Sequence, residues 1–177
     1  HQKAILHRDL KPSNILVDAQ YQPRIIDFGI ATAIERGDLT RVTRAGAVLG
    51  TLPYMSPEQL DGGTRSDPRW DVYALGAIAY ELIGGVLPHP GLGTATSVVA
   101  ALKIVASHAP TPLGRIAPAA RGDLETVVMK AIAPDPGARY GSAAELADEL
   151  RRGTQGRPGE AAPAGIGRVL RLFVRRH

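Results

Sequence analysis

Two short β-favouring runs lie close together, NILVD (Asn14–Asp18) and PRIID (Pro23–Asp27). The four residues between them, Ala19 to Gln22, suit the loop of a β-hairpin. Residues 29–65 hold neither a two-residue nor a helical period and are rich in Gly, Thr and Arg. That reads as a long ordered or switchable loop, and loops of such length inside a domain usually serve function. The pattern changes at Trp70. WDVYALGAIAYELIGG sets Val72, Leu75, Ile78, Ala79, Leu82 and Ile83 near helical spacing and is apolar almost all round, which predicts a buried helix ended by Gly84 and Gly85.

A Pro/Gly loop covers 88–93. Thr96 to His108 predicts a helix with Val98, Val99, Leu102, Ile104 and Val105 as its apolar set. Pro110, Pro112 and Pro118 interrupt the next stretch. Arg121 to Ala133 is a cleaner amphipathic helix, with Leu124, Val127, Val128, Ala131 and Ile132 three and four apart. Ser142 followed by Glu145 forms the start signature of a last helix whose apolar face is Leu146 and Leu150. GTQGRPGEAAPAG, 153–165, reads as a flexible linker, and 166–177 forms a basic, apolar tail. The order is a hairpin, a long loop, then helices, without βαβ units or internal repeats. The fold class expected is mainly α, with a small β-hairpin at its functional edge.

Composition narrows the chemistry. The 177 residues suit one domain with a tail, and an apolar share of 44% supports a core. Cysteine is absent, which excludes disulfides and thiolate metal sites. A net charge of +4 is compatible with acidic partners or a membrane surface, but no aromatics interleave with the basic runs, so nucleic acid is not expected as a partner. No signal-peptide pattern opens the sequence, and no apolar run approaches the roughly 18 residues of a spanning helix.

The polar residues around the hairpin carry the sharpest signal. Asp9 and Asn14 are five apart, and Asp27 follows the second run. If the strands pair, Asn14 and Asp27 approach each other, and hard oxygen donors of this kind suit Mg²⁺ that already carries phosphates. Asp9 is then left to orient or deprotonate a hydroxyl, and Lys11 to neutralise a transferring phosphoryl group. At arbitrary spacing such residues are more often turn and cap residues; here they come as a block.

That block is HRDLKPSN (His7–Asn14), DFG (Asp27–Gly29) and GTLPYMSPE (Gly50–Glu58), followed by WDVYALG (Trp70–Gly76) and PDPGAR (Pro134–Arg139). In order and spacing it resembles the catalytic loop, metal-binding loop, end of the activation segment, central helix and late arginine loop of a eukaryotic-type (Hanks-type) Ser/Thr protein kinase, in the variant of bacterial members. The resemblance covers 1–152 and implies a kinase C-terminal lobe. It implies that Asp9 accepts the substrate hydroxyl proton, that Asn14 and Asp27 hold Mg²⁺ (with Mn²⁺ as the alternative), and that Lys11 contacts the γ-phosphate of ATP. Thr51 then braces Asp9 and Lys11. Arg8 is implied to pair with a phosphate on the activation segment, with Thr40, Thr43 and less clearly Thr32 as acceptors; the bland alternative is a structural salt bridge. Glu58 and Arg139 resemble a buried ion pair, and Asp71 a helix-start carboxylate that accepts from catalytic-loop amides. His7 is implied to pack and hydrogen-bond within the loop and Phe28 to pack; Gly29 lets the backbone turn where a side chain would clash, and Trp70, the one tryptophan, reads as core or surface packing rather than recognition.

A Gly-rich phosphate loop, a strand lysine and its glutamate partner are not found before His7. The expectation is therefore a chain without the small N-terminal lobe, nearly inactive alone, with exposed apolar surface where that lobe would sit. Its substrates would be proteins bearing Ser or Thr. It would be cytoplasmic, from a parent that is a single-pass membrane protein if the tail is juxtamembrane. The tail, with Arg168, Arg171, Arg175 and Arg176 among apolar residues, is either a membrane-surface helix or a solvated one. Against the enzyme stand a non-catalytic, kinase-like binding or regulatory module and a small-molecule phosphotransferase of the same superfold.

Overall fold

The computed structural model describes residues 6–20, 22–26, 50–63 and 66–155. Strands β1 (Ile15–Val17) and β2 (Pro23–Ile25) pair antiparallel, with Ile15 opposite Ile25, Leu16 opposite Arg24 and Val17 opposite Pro23. Each is shorter than the five-residue run expected to form it. Asn14 closes a 3₁₀ turn, Pro12–Asn14, in which the fixed φ of Pro12 suits the first position. Asp18 leaves the strand to fold the loop: its Oδ1 accepts from the amides of Gln20 (3.0 Å) and Gln22 (2.9 Å). The Gln22 amide holds the Asp18 carboxyl below its ordinary range, against the opposing effect of burial.

Helix α1 (Pro57–Leu60) lies inside the stretch where no period was legible, preceded by a 3₁₀ turn at Leu52–Tyr54. Four residues are too few to display a period. Helix α2 (Pro68–Gly84) starts two residues before the expected Trp70, because Asp67 caps it by accepting from the Arg69 amide (2.9 Å) and Pro68 follows the cap. It ends at Gly85, whose φ of 72° is the left-handed conformation that glycine adopts without penalty. Helix α3 (Val98–Ser107) is capped by the Ser97 hydroxyl, then come the short α4 (Leu113–Ile116) and α5 (Asp123–Ala131). Helix α6 (Ala143–Gln155) runs three residues into the segment expected as linker. At its start the Ser142 hydroxyl accepts from the Glu145 amide (3.2 Å), and Glu145 reaches back to the Gly141 amide (2.7 Å), one residue earlier than a simple capping box.

Helix α2 is buried on nearly every side, as its all-round apolar pattern dictates, with Val72, Ala77 and Tyr80 fully enclosed. It packs against α5 and α6. At Gly76 a Cβ would stand 2.7 Å from the Ala131 Cβ, so only glycine allows α2 and α5 to approach this closely. A second cluster (Leu52, Leu60, Leu92, Ala95, Ala101 and Val105) ties the turn before α1 and α1 itself to α3.

His89, in the loop before α3, is 2% exposed, and its Nδ1 has no hydrogen-bond partner among the described residues. Burial pulls its pKa below the ordinary 6.5; the His108 backbone opposes this and the His108 charge adds to it. Above about pH 6.5 the ring is neutral in both states. As pH falls below that, the unfolded chain takes the proton first and stability declines until the folded pKa is passed. The urea midpoint should therefore fall more between pH 7.5 and 5.5 in wild type than in His89→Gln; equal falls would remove His89 as the group responsible.

Candidate active site

The site is assembled by the loop from His7 to Asn14, the turn at Thr51 and the start of α2. Asp71, in the first turn of α2 and buried, accepts two backbone hydrogen bonds: His7 N to Oδ2 and Arg8 N to Oδ1, both 2.8 Å. A carboxylate with two oxygens suits two converging amides, and charge-assisted bonds of this length are the stronger kind. His7 is buried and its Nε2 donates to the Ile26 carbonyl (3.0 Å), which places β2 against the loop. Arg8 has φ of 66° and is the one non-glycine residue with positive φ among those described. That conformation costs about 1–2 kcal/mol and persists because its surroundings hold it.

Asp9, Lys11, Asn14 and Thr51 form one network. Lys11 Nζ lies 3.1 Å from Asp9 Oδ2 and donates to Thr51 Oγ1 at 2.8 Å, across forty positions of sequence. Asn14 Nδ2 donates to the Asp9 carbonyl (2.8 Å) and to Asp9 Oδ2 (3.2 Å). Because Nδ2 is spent on Asp9, the atom Asn14 retains for a cation is its oxygen, the hard donor that Mg²⁺ prefers. No group of three or more His, Asp or Glu among the described residues gathers to hold a metal. Asp27, Thr32, Thr40, Thr43 and the tail 166–177 lie outside the described residues.

Glu58 and Arg139 meet in a two-pronged pair, NH1 to Oε1 at 2.7 Å and NH2 to Oε2 at 2.8 Å. The guanidinium also donates to the carbonyls of Ala133 (2.7 Å), Pro134 (3.0 Å) and Arg69 (3.3 Å), so all its five donors are engaged. Its carbon lies 4.9 Å from the centre of the Tyr73 ring. Burial pushes the Tyr73 hydroxyl up to about 12, although the Arg139 charge pulls the other way.

Three features escaped the sequence reading. Tyr54 donates to the buried Glu81 at 2.6 Å, an ion-pair substitute inside the core. Leu16 is 55% exposed two positions beyond Asn14, an apolar side chain in solvent beside the site. Gln59 binds both Ser56 and the Arg8 carbonyl. Of these only Gln59 carried a legible signal: Ser56, Pro57 and Gln59 follow the spacing of a helix start with a capping box.

Residues 1–149 match the protein kinase domain family, and the chain belongs to it. The chain is 42% identical over 161 residues to serine/threonine-protein kinase PknB of Mycobacterium leprae, covering 91% of this chain and 25% of that protein. It is 40% identical to PknB of Mycobacterium tuberculosis with the same coverage. It is 38% identical to serine/threonine-protein kinase PrkC of Bacillus subtilis over 151 residues, 85% of this chain and 22% of that protein. The chain thus spans about a quarter of the length of these curated relatives. The family is that of protein kinase domains, the relatives above are named serine/threonine-protein kinases, and the described residues, helical with one antiparallel hairpin, have the fold of a kinase-like lobe. No helix among the described residues is long and apolar enough to cross a membrane.

Proposed function

We propose that this chain supplies the phosphoryl-transfer loop and protein-substrate face of an enzyme that moves the ATP γ-phosphate to Ser or Thr hydroxyls of proteins. The observation that carries the reading is the bonded network of Asp9, Lys11, Asn14 and Thr51. Asp9 holds an acceptor oxygen for the substrate hydroxyl, and Lys11 and Asn14 both reach its Oδ2. Phosphoryl transfer asks little covalent chemistry of the protein, so alignment of the hydroxyl is the larger contribution of Asp9. Lys11 holds positive charge beside that oxygen, where negative charge on the phosphoryl group grows. Thr51 fixes Lys11, and its own place is set by the turn that leads into α1. Asn14, with Asp27, would hold Mg²⁺, or Mn²⁺ in its stead, which when bound offsets charge on the phosphate oxygens. Leu16 offers an apolar surface for the flat base of a nucleotide.

Arg8 would read a phosphate on Thr40 or Thr43, and 166–177 would touch an acidic membrane surface from the cytoplasmic side. The test is a phosphate-transfer assay on the full-length gene product with radiolabelled ATP, Mg²⁺ and a basic protein. Label is expected on serine or threonine, at rates of ~1–100 per second if ordinary for kinases. Label on a small-molecule acceptor alone, or no transfer by a folded protein that still binds a partner, would overturn the reading in favour of its competitors.

A further inference from the structure

We propose that Gln59 is a positioning residue for the transfer centre: its side-chain amide holds the Arg8 carbonyl and thereby sets where Asp9 stands. This rests on the phosphotransfer reading above for its kinetic consequence, but the contact itself stands on geometry.

The orientation of the Gln59 amide is fixed by what its neighbours are able to do. The Ser56 backbone N–H only donates, so the oxygen facing it at 3.0 Å is Oε1; the Ser56 hydroxyl donates to the same oxygen at 3.1 Å. Nε2 is thereby turned to the Arg8 carbonyl, which only accepts, at 3.3 Å. One side chain thus caps α1 and reaches 51 positions back in sequence to the catalytic loop. Ser56 is fully buried, and the neighbouring Glu58 is locked to Arg139, so the base from which Gln59 reaches is rigid.

The target is the most constrained backbone in the site. Arg8 sits at positive φ, its N–H is taken by Asp71 Oδ1, and its carbonyl is taken by Gln59. The peptide plane held by Gln59 is the one that leads into Asp9. On its far side Asp9 is held by Asn14 through both carbonyl and carboxylate. Without Gln59 Asp9 keeps Asn14 and Lys11 on its far side but loses the hold on the main chain that enters it, and the left-handed Arg8 loses the Gln59 bond to the plane after it. A shift of a reacting group by about 1 Å is enough to cost up to 10²-fold in rate.

The experiment compares Gln59→Glu and Gln59→Met in the full-length protein. Glutamate keeps an acceptor for the Ser56 amide but sets an oxygen against the Arg8 carbonyl. Methionine keeps the length and removes both functions. Gln59→Glu should lower kcat about tenfold, with KM for ATP within twofold, and the loss should persist at temperatures well below its thermal midpoint. Gln59→Met should lower kcat and the midpoint together. Amide exchange at Arg8 and Asp9 should be faster in both variants. Wild-type kcat in Gln59→Glu, or unchanged exchange at those amides, overturns the proposal. So does a loss of kcat that simply follows the midpoint in both variants. If wild type transfers no phosphate, the phosphotransfer reading fails, while the exchange comparison still decides the Gln59 contact.

Discussion

Asp9→Asn in the full-length protein should reduce kcat by about 10²–10⁴-fold, the span associated with loss of a positioned proton acceptor. KM for ATP and the thermal midpoint should stay near wild type. The substitution is nearly isosteric, and the surroundings dictate how the new amide turns. Lys11 Nζ and Asn14 Nδ2 both donate toward Asp9 Oδ2. An asparagine must present its oxygen to these donors, which turns its NH₂ toward the substrate side. There it donates where an acceptor is needed, and it no longer carries the negative charge that aligns a hydroxyl. Lys11→Met isolates the neighbour: it removes the charge beside the phosphoryl group and the bond to Thr51 Oγ1 while leaving the Asp9 acceptor in place. A loss of activity in Lys11→Met with a loss below tenfold in Asp9→Asn would move the centre of the chemistry from Asp9 to Lys11.

Much of the fold was legible because its longest elements satisfy one requirement each. The hairpin has two β-branched runs and a short loop. Helix α2 is apolar all round and had nowhere to go but the core. What remained illegible depends on partners distant in sequence. The pair Glu58–Arg139 spans 81 positions, and neither residue announces the other; only the resemblance joined them. His89 stands between two prolines in a loop, a setting that gives no hint of its 2% exposure, which arises when the loop packs under α3. The end of α6 was misplaced because Gly153 is a weak helix breaker, whereas the helix continues to Gln155. In the site, residue types and spacing pointed to phosphate chemistry, but they did not give the direction of Asn14. Its amide nitrogen faces Asp9, and that is a property of the folded loop.

Glu58→Ala should cost about 3–5 kcal/mol of stability, the range for removing one partner of a buried ion pair. The asymmetry of burial makes this the severe direction. The Arg139 side chain is fully enclosed, whereas that of Glu58 is 25% exposed. Alanine at 58 leaves a buried guanidinium whose remaining bonds go only to the neutral carbonyls of Ala133, Pro134 and Arg69. Arg139→Lys should not behave as a conservative change, since one ammonium with three donors cannot serve five acceptors on three sides. Arg139→Leu removes the charge, and water is able to reach the exposed edge of Glu58, but three carbonyls lose their donor. If the damage in Glu58→Ala is mainly the stranded charge, then adding Arg139→Leu to it should cost less than Arg139→Leu costs in wild type. A double-mutant cycle by urea unfolding measures this as a coupling of 0.5–3 kcal/mol or about that size. Simple additivity would mean that the pair holds α1 through packing rather than through charge. The anchoring of Ser56 and Gln59 against the catalytic loop would then survive the loss of the pair, and activity at low temperature in Glu58→Ala would stay near wild type.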